Sequence, residues 1–190
     1  MYKRQVRNLR HAPALPVLVV DIGGGSTELI LGETVPSTAY SMDMGSVRMH
    51  ERHLHSDPPT AEEVAAAVAD IDAHLDACPV DPAAAATVVG VAGTITTVAA
   101  GVLDLPAYDP DRIDQAVLGR DDVHATTARI LAMTVQERRA LPYLHPGRVD
   151  VIGAGALILR IILERSGAEA VVASESDILD GVAMSCLRQS

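Results

Sequence analysis

Two acidic residues bracket three glycines and two hydroxyls in the run Asp21-Ile22-Gly23-Gly24-Gly25-Ser26-Thr27-Glu28. The run lies between two aliphatic, β-branched stretches, Val17 to Val20 and Thr27 to Leu31. It therefore reads as a hairpin rather than a strand-to-helix turn. Glycine permits the positive φ that a tight hairpin requires. Consecutive glycines also let the backbone approach a phosphate and aim several N–H groups at it, and Ser26 and Thr27 would add hydroxyl donors. With Gly24-Gly25 as a two-residue turn, Gly23 pairs with Ser26, Ile22 with Thr27 and Asp21 with Glu28. Opposed side chains stand about 4.5–5.5 Å apart at Cβ, where like charges repel. A plain Gly-Gly turn explains the glycines but gains nothing from the acids. A divalent cation held between the carboxylates, or one acid with a raised pKa for proton transfer, explains both.

Gly93-Thr94 repeats the theme more weakly, because it follows a buried strand and opens a helix whose N–H groups carry the positive end of its dipole. Gly153 and Gly155 interrupt a helix of Ala, Ile and Leu. That costs stability unless another backbone or a ligand comes close, and helix–helix packing is the simpler reason. His50, His53 and His55 cluster without a Cys or Asp at zinc-ligand spacing, so they read as a solvated loop. Glu175, Ser176 and Asp177 read first as N-terminal charges on a last helix. Neither a Gly-x-Ser-x-Gly elbow nor a GxxxxGK[ST] loop occurs.

The elements that must position these residues follow an α/β pattern. After the hairpin, Thr34 to Met44 reads as a third strand ending at Gly45. Thr60 and Glu63 form a capping box for a helix whose stripe is Val64, Ala67, Val68, Ile71 and Leu75, with Asp70, Asp72 and Asp76 facing water. Thr87 to Ala92 reads as a strand and is followed by a short helix through Ala100. Residues 101–120 read as a loop. Further helices are expected from Asp121 or Asp122 to Met133, at Glu137 to Leu141, and from Asp150 to Arg165 with Gly167 as its cap. Ala170 to Ala173 reads as a strand and Ser176 to Leu187 as a closing helix. A leading β-meander of this kind is unlike the βαβ unit in which a glycine loop opens a helix. Residues 1–16, basic and then Pro-bounded, read as a leader.

Composition narrows the partners. Phe and Trp are absent and Tyr occurs four times within 190 residues, so the core must be Val, Ile, Leu and Ala. Such a core suits a helix-covered sheet. Cys78 and Cys186 show no disulfide spacing and read as small buried residues of a reducing compartment. No stretch approaches the roughly 20 apolar residues of a membrane span and no signal peptide is evident, which reads as cytoplasmic. The net charge of −10 argues against nucleic acid as a partner. It also means that a polyanionic substrate would need oriented N–H groups and a metal ion.

Five blocks, DIGGGSTELILG, MGSVRMHERHLHSDPPTAEE, VVGVAGTITTVAA, RVDVIGAGALIL and ESDILDGVA, closely resemble in order and spacing the exopolyphosphatase / guanosine pentaphosphate phosphohydrolase family, in its actinobacterial form. The resemblance covers nearly everything from Val17 to Leu187. It implies a lobe of the actin, sugar-kinase and heat-shock-chaperone ATPase superfold (ribonuclease H-like), with a mixed sheet covered by helices. It also implies a cytoplasmic, often dimeric, Mg²⁺-dependent hydrolase that removes terminal phosphates from polyphosphate or guanosine pentaphosphate in a cleft between two lobes. By position, Asp21 and Glu28 would be catalytic and metal-associated acids, Gly23, Gly24, Gly25, Ser26 and Thr27 would cradle phosphate, and Gly93 and Thr94 would lie at the nucleotide end.

Family members also carry a first lobe with an Asp-x-Gly-Ser loop and a water-activating glutamate in a Ser-Gly-x-Glu-Glu context. Neither pattern occurs before Val17. Residues 17–190 are therefore expected to form the second lobe, with the general base on the missing first lobe and 1–16 a remnant of the upstream region. Two alternatives remain open: an ATP-binding kinase or chaperone-like ATPase lobe, and a non-catalytic module that binds polyphosphate or guanosine polyphosphates.

Overall fold

The computed structural model describes Leu9 and residues 12–175. Strands β1 (Val17–Ile22), β2 (Thr27–Gly32) and β3 (Pro36–Met42) form the expected antiparallel meander. Strand β4 (Thr87–Val91) runs parallel to β1, and β6 (Ala170–Ala173) parallel to β4. The short β5 (Val117–Gly119) closes the edge antiparallel to β6, giving a mixed sheet of order β3-β2-β1-β4-β6-β5. Every residue of β1 is buried, as an uninterrupted aliphatic run flanked on both faces requires.

Alternation along the central strands sorts side chains onto two faces. Leu18, Val20, Ile22, Leu29 and Val88 enter the main core, while Val17, Val19, Val89 and Val91 form a smaller cluster on the opposite face, with Leu9, Ile30 and Val172 packed against it. The main core is completed by the helices α1 (Ser46–His53), α2 (Ala61–Asp76), α3 (Ala92–Val102), α5 (Arg120–Ala132) and α7 (Ile152–Ser166). Helix α7 is buried except at Arg160, Glu164 and Arg165, and it touches α1, α2, α3 and α5. The short helices α4 (Pro110–Ile113) and α6 (Val135–Arg139) lie in the connections. Among the described residues no helix is long and apolar enough to cross a membrane.

Several expectations hold in detail. The α2 capping box is present: Glu63 N–H donates to Thr60 Oγ1 at 3.2 Å and Thr60 N–H to Glu63 Oε2 at 2.9 Å. The φ of 66° at Gly167 ends α7 in the left-handed region. Gly155 does serve packing, since a Cβ there would lie 2.6 Å from Thr94 Cγ2.

Other expectations are corrected. The histidine cluster is a solvated loop only at His55, which is exposed; His50 and His53 lie on α1, which buries Ser46 and Met49. This helix starts at Gly45 with no side-chain cap, so the usual start signal is missing. The stretch 101–120 contains α4 and β5. Asp70 does not simply face water; His53 Nε2 lies 2.8 Å from its Oδ2 and His74 Nδ1 3.1 Å from its Oδ1. Directly before β1, Thr87 Oγ1 donates to the Ala14 carbonyl and Ala86 N–H to that of Pro16, tying residues 14–16 to the start of β4. The closing helix from Ser176, together with Asp177 and Cys186, lies outside the described residues.

Candidate active site

The glycine loop is held by its carbonyls. Gly23 N–H donates to Ser26 O at 3.0 Å, closing the hairpin, and the ladder continues as Ile22↔Thr27 and Asp21↔Glu28. The Gly23 carbonyl accepts from Ser46 N–H at 2.9 Å, and the Gly24 carbonyl accepts from Val47 N–H at 2.9 Å and Arg48 N–H at 3.3 Å. The otherwise orphaned N-terminal amides of α1 are thus satisfied by the loop itself. In a planar trans peptide each N–H points opposite to the preceding C=O. Anchoring the Gly23 and Gly24 carbonyls on α1 therefore turns the Gly24 and Gly25 amides away from the helix.

None of Gly23, Gly24 and Gly25 adopts a positive φ, contrary to the hairpin expectation. For Gly23 and Gly24 the reason is space, since a Cβ on Gly23 would stand 3.3 Å from the Ser26 carbonyl oxygen. A Cβ on Gly24 would stand 3.2 Å from Val47 Cγ2. Gly45 is the more stringent position, because a Cβ there would overlap the Gly24 carbonyl and lie 2.6 Å from the Gly25 carbonyl carbon. Sequence reasoning ended a strand at Gly45 without assigning it this role.

A cavity of about 250 Å³ opens beside the loop. Ile22, Gly23, Gly24 and Ser46 line one side, and Ala92, Gly93, Thr94 and Arg148 the other. The two glycine segments singled out in the sequence therefore meet. Ala92 has φ 70°, a left-handed conformation that costs a non-glycine residue roughly 1–2 kcal/mol. A left-handed residue leading into a right-handed helix gathers successive N–H groups into an anion-binding nest, at the N-terminus of α3. A Cβ on Gly93 would overlap the Arg148 guanidinium, so glycine is what admits the arginine. Arg148 Nη1 donates to Thr97 Oγ1 at 3.3 Å, and Thr97 Oγ1 donates to the Gly93 carbonyl at 2.6 Å. Arg148 lies outside the residues chosen from sequence, although it opens the RVDVIGAG block; its spacing from the loops gave no signal.

Asp21 and Glu28 are opposed in register, but not in this cavity. By strand alternation they project on the face of Val17, Val19 and Ile30. Asp21 is 6% exposed. Glu28 Oε1 accepts from Ser26 Oγ and Ser41 Oγ, both at 2.6 Å. Thr27 is placed otherwise than expected: it is fully buried and its hydroxyl donates to the Met44 carbonyl at 2.5 Å, which leaves it no proton for a phosphate. Ser26 has its hydroxyl on Glu28. Gly25 stands at the exposed tip, its Cβ position 3.7 Å from Arg48 Nε.

Among the described residues no group of three His, Cys, Asp or Glu side chains is placed to hold a metal ion. Mg²⁺ is commonly held by one or two carboxylates, with substrate phosphates and water filling the octahedron; Asp21 and Glu28 are the two carboxylates opposed on this hairpin.

Comparison with known proteins agrees with this architecture. Exopolyphosphatase 2 of Mycobacterium tuberculosis is 44% identical over 176 residues, covering 90% of this chain and 55% of the relative. A bifunctional 3-dehydroquinate synthase/phosphatase of Fusobacterium nucleatum is 30% identical over 169 residues, 87% of this chain and 25% of that protein. The crystal structure of an exopolyphosphatase-like protein superposes with TM-score 0.88 at 41% identity, covering 96% of this chain and 61% of that one. The type II variant of the Aquifex aeolicus Ppx/GppA phosphatase gives TM-score 0.86 at 31% identity, covering 97% and 60%. The sheet and its helices thus form a lobe of the actin-like ATPase superfold; the chain spans 55% of the Mycobacterium tuberculosis relative, about 60% of the two solved structures and a quarter of the bifunctional protein. Residues 6–190 match the Ppx/GppA phosphatase family throughout, and the chain belongs to that family.

Proposed function

We propose that this chain supplies the second lobe of a phosphoanhydride hydrolase that removes terminal phosphate from inorganic polyphosphate or guanosine pentaphosphate. The observation that carries the proposal is the loop anchored by its carbonyls on α1, with its amides free, facing Gly93, Thr94 and Arg148 across one cavity. A chain of net charge −10 needs such a device to hold a polyanion. The relatives point the same way, one being an exopolyphosphatase and another a guanosine-5′-triphosphate,3′-diphosphate pyrophosphatase.

In this reading the Gly24 and Gly25 amides, the Ala92 nest and the Arg148 guanidinium bind phosphate oxygens. They stabilise charge that builds up during in-line attack by water, the reaction in which positioning and electrostatics do most of the work. Asp21 and Glu28 would hold Mg²⁺, and Ser26 and Ser41 fix Glu28 through their hydroxyls. Bound there, Mg²⁺ supplies neutralisation of phosphate charge. The water-activating base would come from the other lobe.

The test is phosphate release from polyphosphate in a chain spanning the full length of the relatives. Asp21→Asn and Glu28→Gln are each expected to abolish Mg²⁺-dependent release while leaving the fold intact by circular dichroism. Unchanged release from both variants would sink the assignment.

A further inference from the structure

A cavity of about 460 Å³ lies between the C-terminal half of α1 and the short helix α6, and it shares no residue with the phosphate cavity. Small-ligand clefts occupy roughly 300–1,000 Å³, so it can take a small molecule. Arg138, on α6, lies in its wall and is 3% exposed. The ion pair of Arg138 with Asp57 is loose, Nη2 to Oδ1 being 3.7 Å, and that oxygen already accepts from Val135 N–H at 2.7 Å. A Cβ on Gly153 of α7 would stand 3.4 Å from Arg138 Nη1, so glycine at this position leaves the guanidinium its room.

Two polar side chains of this wall are left unsatisfied. Among the described residues neither Arg138 Nε nor His50 Nδ1 has a hydrogen-bond partner, and both atoms are buried. A buried guanidinium keeps its charge, and its desolvation is repaid only when its remaining protons are hydrogen-bonded. Burial works against the charged form of Arg138, which Asp57 and Asp150 support. It works against the charged form of His50 too, where Asp150 again opposes it. A buried group of this kind calls for a partner of opposite charge.

The charges around the cavity are of both signs and differ in exposure. Arg138 is buried, whereas Glu51, Asp57 and Asp150 are exposed. A simple anion would meet three carboxylates on its way to Arg138, and a simple cation would meet a guanidinium behind them. A carboxylate and an ammonium on one small molecule suit both, because each then forms a charge-assisted pair. Leu54 and Val135 add apolar wall against which an alkyl stem can lie. Three acids against one guanidinium favour a second ammonium on the same molecule. We propose that this cavity binds a free basic α-amino acid, with its carboxylate directed at Arg138 and His50 and its ammonium groups at Glu51, Asp57 and Asp150. The inference is independent of the phosphate cavity, and neither needs the other.

The experiment titrates the full chain calorimetrically with L-lysine, with cadaverine, which is L-lysine without its carboxylate, and with acetate, the carboxylate alone. L-Lysine is expected to bind about ten-fold or more tightly than either, as one charge-assisted pair contributes. Asp150→Asn, a change at an exposed position, should weaken L-lysine several-fold. Arg138→Gln should remove most of the advantage of L-lysine over cadaverine. Should that variant fail to fold by circular dichroism, Asp150→Asn decides alone. Cadaverine binding as tightly as L-lysine would mean that amines are merely drawn to surface acids, and it overturns the site. Failure of L-lysine to bind saturably overturns it as well, and so does unchanged binding by Asp150→Asn.

Discussion

Gly45 is the residue on which the geometry of the glycine loop most directly depends, and replacing it with alanine gives a quantitative test. The new Cβ would overlap the Gly24 carbonyl and crowd the Gly25 carbonyl carbon at 2.6 Å. Both neighbours are backbone, so no side-chain rotation relieves the clash. The start of α1 must move away from the loop, and three backbone hydrogen bonds cross that seam, Ser46 N–H to Gly23 O and Val47 and Arg48 N–H to Gly24 O, beside the Ser46 hydroxyl on Gly23 O. At about 0.5–1.5 kcal/mol each, their loss amounts to roughly 2–4 kcal/mol. That is a large part of the about 5–15 kcal/mol by which domains are stable.

The right control is Gly25→Ala in the same loop, whose Cβ would meet only Arg48 Nε at an ordinary 3.7 Å. Urea unfolding followed by circular dichroism should show Gly45→Ala with a much lower midpoint at unchanged slope, and Gly25→Ala within about 1 kcal/mol of wild type. If the two variants unfold alike, or if Gly45→Ala is as stable as wild type, the carbonyl-anchored loop is refuted. The variant should also lose affinity for tripolyphosphate beyond what global unfolding explains, since its loop amides are no longer aimed.

Two further outcomes concern the charged groups around α1. Burial, with Arg138 and His55 adding to it against the pull of Asp150, holds His50 below its ordinary 6.5, so on acidification the unfolded chain takes up this proton first. Stability must then fall as pH drops from about 6.5, and His50→Gln should flatten that slope when unfolding midpoints are compared at about pH 7.5 and about pH 5.5. For Asp70, burial alone would raise the pKa, but hydrogen bonds from His53 and Arg52 and the charge of His74 outweigh it and hold the carboxyl below its ordinary 3.8. Its contribution is present above that value and lost as pH falls through the depressed one. Asp70→Asn should therefore cost about 1–2 kcal/mol at neutral pH, and its unfolding midpoint should converge on the wild type as pH falls through the depressed pKa.

Much of this arrangement was legible in the residues. The register Asp21↔Glu28 follows from a two-residue turn and strand period alone, and the α2 capping box from Thr60 and Glu63. What stayed hidden was tertiary. Helix α1 has no cap residue because the loop carbonyls saturate its amides, a substitute that only the folded chain reveals. Gly24 looked like a φ requirement and is instead a distance requirement, which depends on where Val47 comes to rest, and Gly45 is the same for the Gly24 carbonyl. Ala92 in the left-handed region is invisible because alanine carries no signal for it. Strand β5 has three residues, too few for any periodicity, and pairs with β6 across more than fifty positions of chain.

The hairpin also divides its labour more sharply than its sequence suggests. Its carbonyls serve α1; in the proposed function its Gly24 and Gly25 amides bind phosphate, while its acids, on the opposite face of the sheet, hold the cation. Had the carboxylates shared the amides' cavity, they would have repelled the ligand that the amides attract, since each unscreened like-charge pair at contact opposes binding. Displacing them by one residue in a strand of period two removes them to the other side while keeping them within the same rigid turn. A terminal phosphate seated at the loop could then meet backbone donors from one side and a carboxylate-held cation from the other. The alternation Asp21-Ile22-Gly23, rather than the glycines alone, is what would make these two proposed roles compatible in a chain of net charge −10.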